Sequence, residues 1–330
     1  MQTAPPRLRH DIVVIGLPGS LLGSIGTVLD GFAQVARQIQ KSFAPPYGLS
    51  MESKVRLFAT SGDLIELSGG RTLAADGNLL TRGHFQAIFV AAFQASNESL
   101  LLSMLQDQAA LGQWLRAKHA AGGVIAASGT AVCMLAEAGL LDKGSAVVPD
   151  EWTALFRRRY PRIRHETKSN VAEHQRVLTA GSAADEWPLV VRLVEYATSP
   201  ITARALAATV GLSRSRGDAL GMAEDPIVAA AQFWLGERFA RPFNITDMAR
   251  DLAISHSTLL RRFYRSLAVT PRRYALVLRM ESAKSMLVKT NRSIDQISAM
   301  LGYTDTRSFR TAFRGLTRAS PTEYRLRMAK

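Results

Sequence analysis

At 330 residues, with 47% hydrophobic and 21% charged side chains, the chain is long enough for two domains and too apolar to be disordered or of low complexity. Its one cysteine, Cys133, excludes an internal disulfide framework and any cysteine-built zinc site, and points to a reducing compartment. The net charge of +14 is unevenly placed: residues 221–330 carry 19 basic and 9 acidic side chains, a net of +10, which leaves +4 for residues 1–220 and marks the C-terminal third as the part expected to meet nucleic acid or another anionic surface.

Residues 1–10 are polar and proline-bearing, and a flexible N-terminus is expected there. The apolar run over 12–22 is broken by Gly16, Pro18 and Gly19, which argues against a signal peptide. No stretch approaches the roughly 20 apolar residues of a membrane span, so a cytoplasmic protein without membrane contact is expected. Residues 12–16 read as a strand and lead into a helix reaching about residue 40. Further strands are expected over 55–60, 64–67, 71–74 and 87–91, with Gly69-Gly70 as a hairpin turn. Leu101, Leu105, Leu111, Trp114 and Leu115 recur at helical spacing and predict one helix over 100–119, closed by Gly122-Gly123. A buried strand over 124–127 follows. Strands alternating with helices predict an α/β domain, a mostly parallel sheet covered by helices on both faces, over residues 11–212.

Helices over 186–196 and 203–210 end that domain, and the polar SRSRGD of 213–218 places a linker at 213–224. From residue 225 no strand pattern remains. Ile227, Ala231, Trp234, Leu235, Met248, Leu252, Leu259 and Phe263 keep helical spacing, so residues 225–330 are expected to be all-α.

Within that second domain, residues 244–263 and 293–313 form a weak duplication. Asn244, Ile245, Met248 and Leu252 match Ser293, Ile294, Ile297 and Leu301, and Leu259, Phe263 and Pro271 match Phe309, Phe313 and Pro321 after one extra residue in the second turn. Each copy opens on an N-cap, Asn244 or Ser293, the latter with Gln296 as a capping box. Short helix, turn and second helix make a helix-turn-helix, with Ala249 and Ser298 small enough for close crossing. Two such motifs are expected, at about 244–266 and 293–316. Gly302 supplies a left-handed turn residue in the second copy, whereas Ala253 in the first costs about 1 kcal/mol in the same conformation. With Leu259, Phe263, Phe309 and Phe313 turned inward, the outward faces carry His256, Ser257, Thr258, Arg261 and Arg262 in one copy and Asp305, Thr306, Arg307, Arg310 and Thr311 in the other. These side chains suit base edges and phosphates of double-stranded DNA. The helical stretch over 271–289 spans ~27 Å, so the two faces are expected at successive major grooves, roughly 34 Å apart.

Over about 225–325, and above all in GYTDTRSFRTAF (302–313) and SPTEYR (320–325), the chain resembles the AraC/XylS family of bacterial transcription regulators. It departs from that pattern at Ala253, Ala268 and Arg318, where the family more often has glycine. The resemblance implies an operator-binding regulator, an activator by family habit, that works as a homodimer and engages RNA polymerase.

The segment GGVIAASGTAVCMLAEAGLLDKG (122–144) reads as strand, sharp turn and helix. With WTALFRRRYPRIR and VLTAG after it, it resembles the DJ-1/PfpI glutamine-amidotransferase-like domain found in GlxA-type AraC regulators. Catalytic members carry a cysteine at the turn, where Ala127 is expected here; Glu151-Trp152 replaces a His-Trp pair, no carboxylate lies between Asp11 and Asp30, and Ala92-Phe93 stands where a glycine pair is common. A non-catalytic domain that binds a small-molecule effector or dimerises is therefore expected, with neither cofactor nor metal; an amidase or glyoxalase-like hydrolase with a DNA-binding appendage is the alternative. Ser128 has no histidine placed beside it and is expected to cap the following helix. The Ser128 and Gly129 amides form the candidate ligand site, as an anion-friendly concavity at that helix start. Cys133 falls inside the helix as an apolar filler, LPGSLLG of 17–23 fits neither the dinucleotide nor the P-loop spacing, and FRRRYPRIR of 156–164 reads as a solvated helix end, with a basic patch near DNA as the alternative.

Overall fold

The computed structural model describes residues 8–42, 51–81, 83–167, 169–198, 200–212, 223, 225–290 and 292–328. Of the expected flexible N-terminus, residues 8–10 are instead strand, paired with residues 51–53, and residues 1–7 lie outside the described residues, as does the expected linker apart from residue 223. The first domain runs β1 (Leu8–Gly16), α1 (Leu22–Ser42), β2 (Met51–Ala59), β3 (Leu64–Glu66), β4 (Thr72–Ala74), β5 (Gly77–Asn78), β6 (Ala87–Val90), α2 (Glu98–Asp107), α3 (Ala109–Ala120) and β7 (Val124–Ser128). It continues with α4 (Ala131–Glu137), β8 (Ser145–Ala146), α5 (Thr153–Arg159), β9 (Arg164–His165), β10 (Val171–His174), β11 (Val177–Ala180), α6 (Glu186–Ala197) and α7 (Pro200–Thr209).

Its main sheet has the order β10-β11-β7-β6-β1-β2-β5, parallel throughout except for the edge strand β10. Strand periodicity divides the core. Ile12 and Val14 face one layer, packed with α1 and α6, while Val13 and Ile15 face the other, packed with α2 to α5. Strands β6, β7 and β11 are buried on both faces, which is why they read as continuous apolar runs. The Gly69-Gly70 hairpin forms between β3 and β4, both glycines having positive φ. The single helix expected over 100–119 is instead two, because the backbone turns at Gln108, which closes α2 and opens α3.

The second domain is all helical: α8 (Pro226–Gly236), α9 (Ile245–Asp251), α10 (His256–Leu267), α11 (Pro271–Lys289), α12 (Ile294–Met300), α13 (Thr306–Thr317) and α14 (Pro321–Met328). Helix α8 is buried on every side. It packs against α1 and α7 of the first domain and α10 and α11 of the second, so one hydrophobic core runs through the junction. Fully burying a side chain the size of Phe233 or Leu235 contributes about 1.5–3 kcal/mol, which makes α8 a strong tie between the domains. Gln232, buried inside this helix, accepts from the Ala223 amide and donates to the Tyr274 hydroxyl at 2.9 Å.

Candidate functional site

Both helix-turn-helix units are built on satisfied helix starts. In the first, Asn244 Oδ1 accepts from the Thr246 amide at 2.9 Å and Ser255 Oγ from the Thr258 amide at 3.2 Å. In the second, Ser293 and Gln296 form the reciprocal capping box and Asp305 Oδ1 accepts from the Ser308 amide at 2.7 Å. Leu259 and Phe263, like Phe309 and Phe313, are fully buried, and this fixes the rotation of α10 and α13. Ala249 and Ser298 are buried at the crossings.

The turns match in conformation although their residues differ. Ala253 has φ +51° and Gly302 φ +79°. The helix ends repeat the pattern, Ala268 at φ +54° and Arg318 at φ +57° closing α10 and α13. All three non-glycine departures therefore sit in left-handed backbone, which costs an L side chain roughly 1–2 kcal/mol. Gly302 answers a further demand, because a Cβ there would lie 2.1 Å from the Ala240 carbonyl oxygen.

Of the ten side chains expected to face DNA, His256, Ser257, Arg261, Asp305, Arg307, Arg310 and Thr311 are exposed on α10 and α13, and Thr258 and Thr306 are half-buried. Some are already engaged: Thr258 Oγ1 accepts from Ser255 Oγ, Thr311 Oγ1 donates to the Arg307 carbonyl, and Asp305 is the cap of α13. Arg262 requires a correction. Its Nε and Nη2 donate to the Asp225 carboxylate at 2.8 and 3.0 Å, clamping α10 to the start of α8. Burial pushes the Asp225 carboxyl up, but the bonds from Arg262 and from the Ile227 and Val228 amides override it and hold the group below its ordinary value. Tyr264, 60% exposed one turn beyond Arg261, shares that outer face and was not among the ten; its i+3 spacing is the signal that finds it.

In the first domain the strand-to-helix turn lies two residues later than expected. Ala127 is inside β7, paired with Val90 and Thr179, and the left-handed elbow residue is Gly129, φ +55°. The elbow therefore carries no side chain. A Cβ at Gly129 would lie 3.0 Å from that of Ala92. Ser128 does not cap α4, whose N-cap is Thr130. Ser128 is fully buried and donates to Glu186 Oε1 at 2.6 Å, with Ser24 Oγ 3.1 Å away. At the turn the Gly129 N–H donates to the Ala180 carbonyl, and just beyond the neighbouring β6 the Ala92 N–H donates to Ser24 Oγ. Of the two amides expected to form an anion-friendly concavity, that of Gly129 is taken by the Ala180 carbonyl, and the Ser128 side chain is turned into the core. Glu186, 58 residues along from Ser128, could not have been placed there from local sequence.

Burial pushes the Cys133 thiol up to about 12, in keeping with an apolar filler inside α4. The arginines of 156–164 are largely paired: Arg158 with Glu98, Arg159 with Glu137 and Arg162 with Asp142. That agrees with a solvated helix end. No group of three or more histidine, cysteine or acidic residues suited to a metal occurs among the described residues, and no helix there is long and apolar enough to cross a membrane.

A family model described as a helix-turn-helix domain matches residues 248–327. The HTH-type transcriptional regulator CdhR of Pseudomonas aeruginosa is 25% identical over 284 residues, covering 82% of this chain and 80% of its own. Among solved structures, a putative transcriptional regulator from Vibrio parahaemolyticus superposes with a TM-score of 0.52 at 19% identity, over 62% of this chain and 100% of that one. Oxidized DJ-1 of Toxoplasma gondii gives a TM-score of 0.48 at 16% identity, over 62% of this chain and 100% of that one.

Proposed function

We propose that the chain is a DNA-binding transcription regulator of the AraC/XylS type with a DJ-1/PfpI-like α/β domain ahead of its reader, that it reads an operator with both helix-turn-helix units, and that it takes its regulatory input through the α/β domain without catalysis. The observation that carries the reading is the pair of capped motifs, each turning a basic helix outward, joined by the 19 residues of α11, about 28 Å of helix. In this reading His256, Ser257, Thr258, Arg261 and Tyr264 meet one major groove and Thr306, Arg307, Arg310 and Thr311 the next, with Asp305 presenting α13 and Arg262 acting behind α10. Phosphate contacts position the protein, and the arginines select bases.

The side-chain-free elbow at Gly129 and the sealed Ser128 support a domain that senses rather than hydrolyses. Small-molecule control, homodimerisation, activation through RNA polymerase and a cytoplasmic location complete the proposal, and the family resemblance supports them. Hydroxyl-radical footprinting on DNA upstream of the protein's own gene tests it. Two protected patches on one face, about 10 base pairs apart, are expected for each chain bound; a single patch per chain would overturn the two-reader arrangement.

A further inference from the structure

Where the two domains meet, α6 and the β10–β11 turn face α11 and the start of α12 across a cleft. One cavity there, of about 300 Å³, is lined by Arg176, Arg192, Glu195 and Tyr196 from the α/β domain and by Phe239, Met286 and Arg292 from the reader, the Glu195 carboxylate being paired with Arg192. It shares Arg176, Thr290 and Arg292 with an adjoining cavity of about 770 Å³. Arg192 is internally matched, donating to Glu173 at 2.8 Å and pairing with Glu195, and the Tyr196 hydroxyl also donates to Glu173.

Arg176 and Arg292 are different. Arg176 donates to the carbonyls of Gly122, at 3.0 Å, and His119, at 3.4 Å. Arg292 rests against the Met300 thioether, a weak acceptor. Neither has a carboxylate in ion-pair contact among the described residues. Two guanidiniums with neutral partners, at the edge of a cavity whose other walls include Phe239, Met286 and Met300, make a cationic end and an apolar body.

We infer that this interdomain cleft binds a small organic carboxylate, its anionic end on Arg292 and Arg176 and its hydrocarbon part against Phe239 and Met286. The inference rests on the effector-sensing reading and moves the sensing site from the elbow to the junction. Arg176 belongs to the sheet edge and Arg292 to the segment between α11 and α12, so one ligand touches both domains. Such a ligand favours the docked arrangement by its differential affinity, and thereby sets how the two motifs are presented to DNA.

The test uses the full chain in titration calorimetry with benzoate and phenylacetate as probes, and benzamide and benzylamine as uncharged and cationic counterparts. The two carboxylates are expected to bind with millimolar or tighter dissociation constants, and the amide and amine at least about tenfold more weakly. Arg292→Gln should weaken the carboxylates at least about tenfold without unfolding the chain, and Ser285→Phe, which fills the cavity, should abolish binding of all probes. Absence of carboxylate binding, equal binding of benzoate and benzamide, or full binding by Arg292→Gln would each overturn the site. Binding that depends on Arg292 but leaves affinity for upstream DNA unchanged would uphold the site and count against effector sensing. A non-carboxylate metabolite that shifts DNA binding equally in wild type and Arg292→Gln would do the reverse.

Discussion

Arg261 and Arg262 are neighbours in sequence with opposite tasks, and replacing each by alanine separates them. Arg261 is exposed on the outer face of α10, whereas Arg262 holds Asp225, the residue that also caps α8. The pair is bidentate, but its side chains are 39% and 23% exposed, so solvent screening brings its contribution down to about 1–2 kcal/mol, well under that of a buried pair. Arg262→Ala should therefore lower the melting midpoint by a few degrees and weaken operator and random DNA by similar, small factors. Arg261→Ala should leave the midpoint within about 1 °C and cost about 1–3 kcal/mol on operator DNA alone. Because the Asp225 carboxyl is held below its ordinary value, the clamp's stabilisation is present above pH 3.8 and is lost as pH falls through the folded-state pKa. The Arg262→Ala difference should then shrink in acid. Calorimetric melts at pH 7 and pH 3, with fluorescence-anisotropy titrations on both DNAs, read these effects. If Arg262→Ala melts like wild type and loses operator selectivity as Arg261→Ala does, the clamp assignment is wrong.

Three further outcomes are expected. Gly302→Ala should destabilise the second motif by about 2–5 kcal/mol, combining left-handed strain with the contact on the Ala240 carbonyl. Ala253→Gly should instead gain up to about 1 kcal/mol, and urea unfolding of both variants gives the comparison. Arg307→Ala should relax base choice, while Arg314→Ala should weaken all sequences alike and reduce the salt slope by about 1, as titrations against single-base operator variants will show. Burial pushes the Glu237 carboxyl up to about 7 against the pull of Arg238, so the folded chain keeps a proton that the unfolded chain releases above pH 4.5, and stability falls as pH rises through that window. Glu237→Gln should remove the decline, gaining about 1–3 kcal/mol at pH 8 and little at pH 4 in thermal melts.

The features legible in the sequence are those written in local periodicity. Continuous apolar runs at β6 and β7 mark a parallel sheet, the Gly69-Gly70 turn marks the separate β3–β4 hairpin, and the caps at Asn244 and Ser293 mark the two motifs. What escaped depends on backbone conformation or on partners far along the chain. Ala126, Ala127, Ser128 and Gly129 are all small enough for a tight turn, so only the positive φ of Gly129 locates the elbow. The β10–β11 hairpin turns through Gln175 and Arg176, at φ +46° and +66°, residues that carry no usual turn signal. Arg262 meets a carboxylate 37 residues away, and Ser128 one 58 residues away. Helix α8 kept helical spacing in the sequence, but burial on every side shows only once both domains surround it.

The most direct test is binding of the purified chain to fragments upstream of its own and adjacent genes, against scrambled duplexes of the same length, at two salt concentrations. A preference of ~10³ or more for one fragment at physiological salt is expected, with affinity for every duplex falling as salt rises. Equal binding to genomic and scrambled DNA at both salts, or no binding at either, would contradict a sequence-reading regulator.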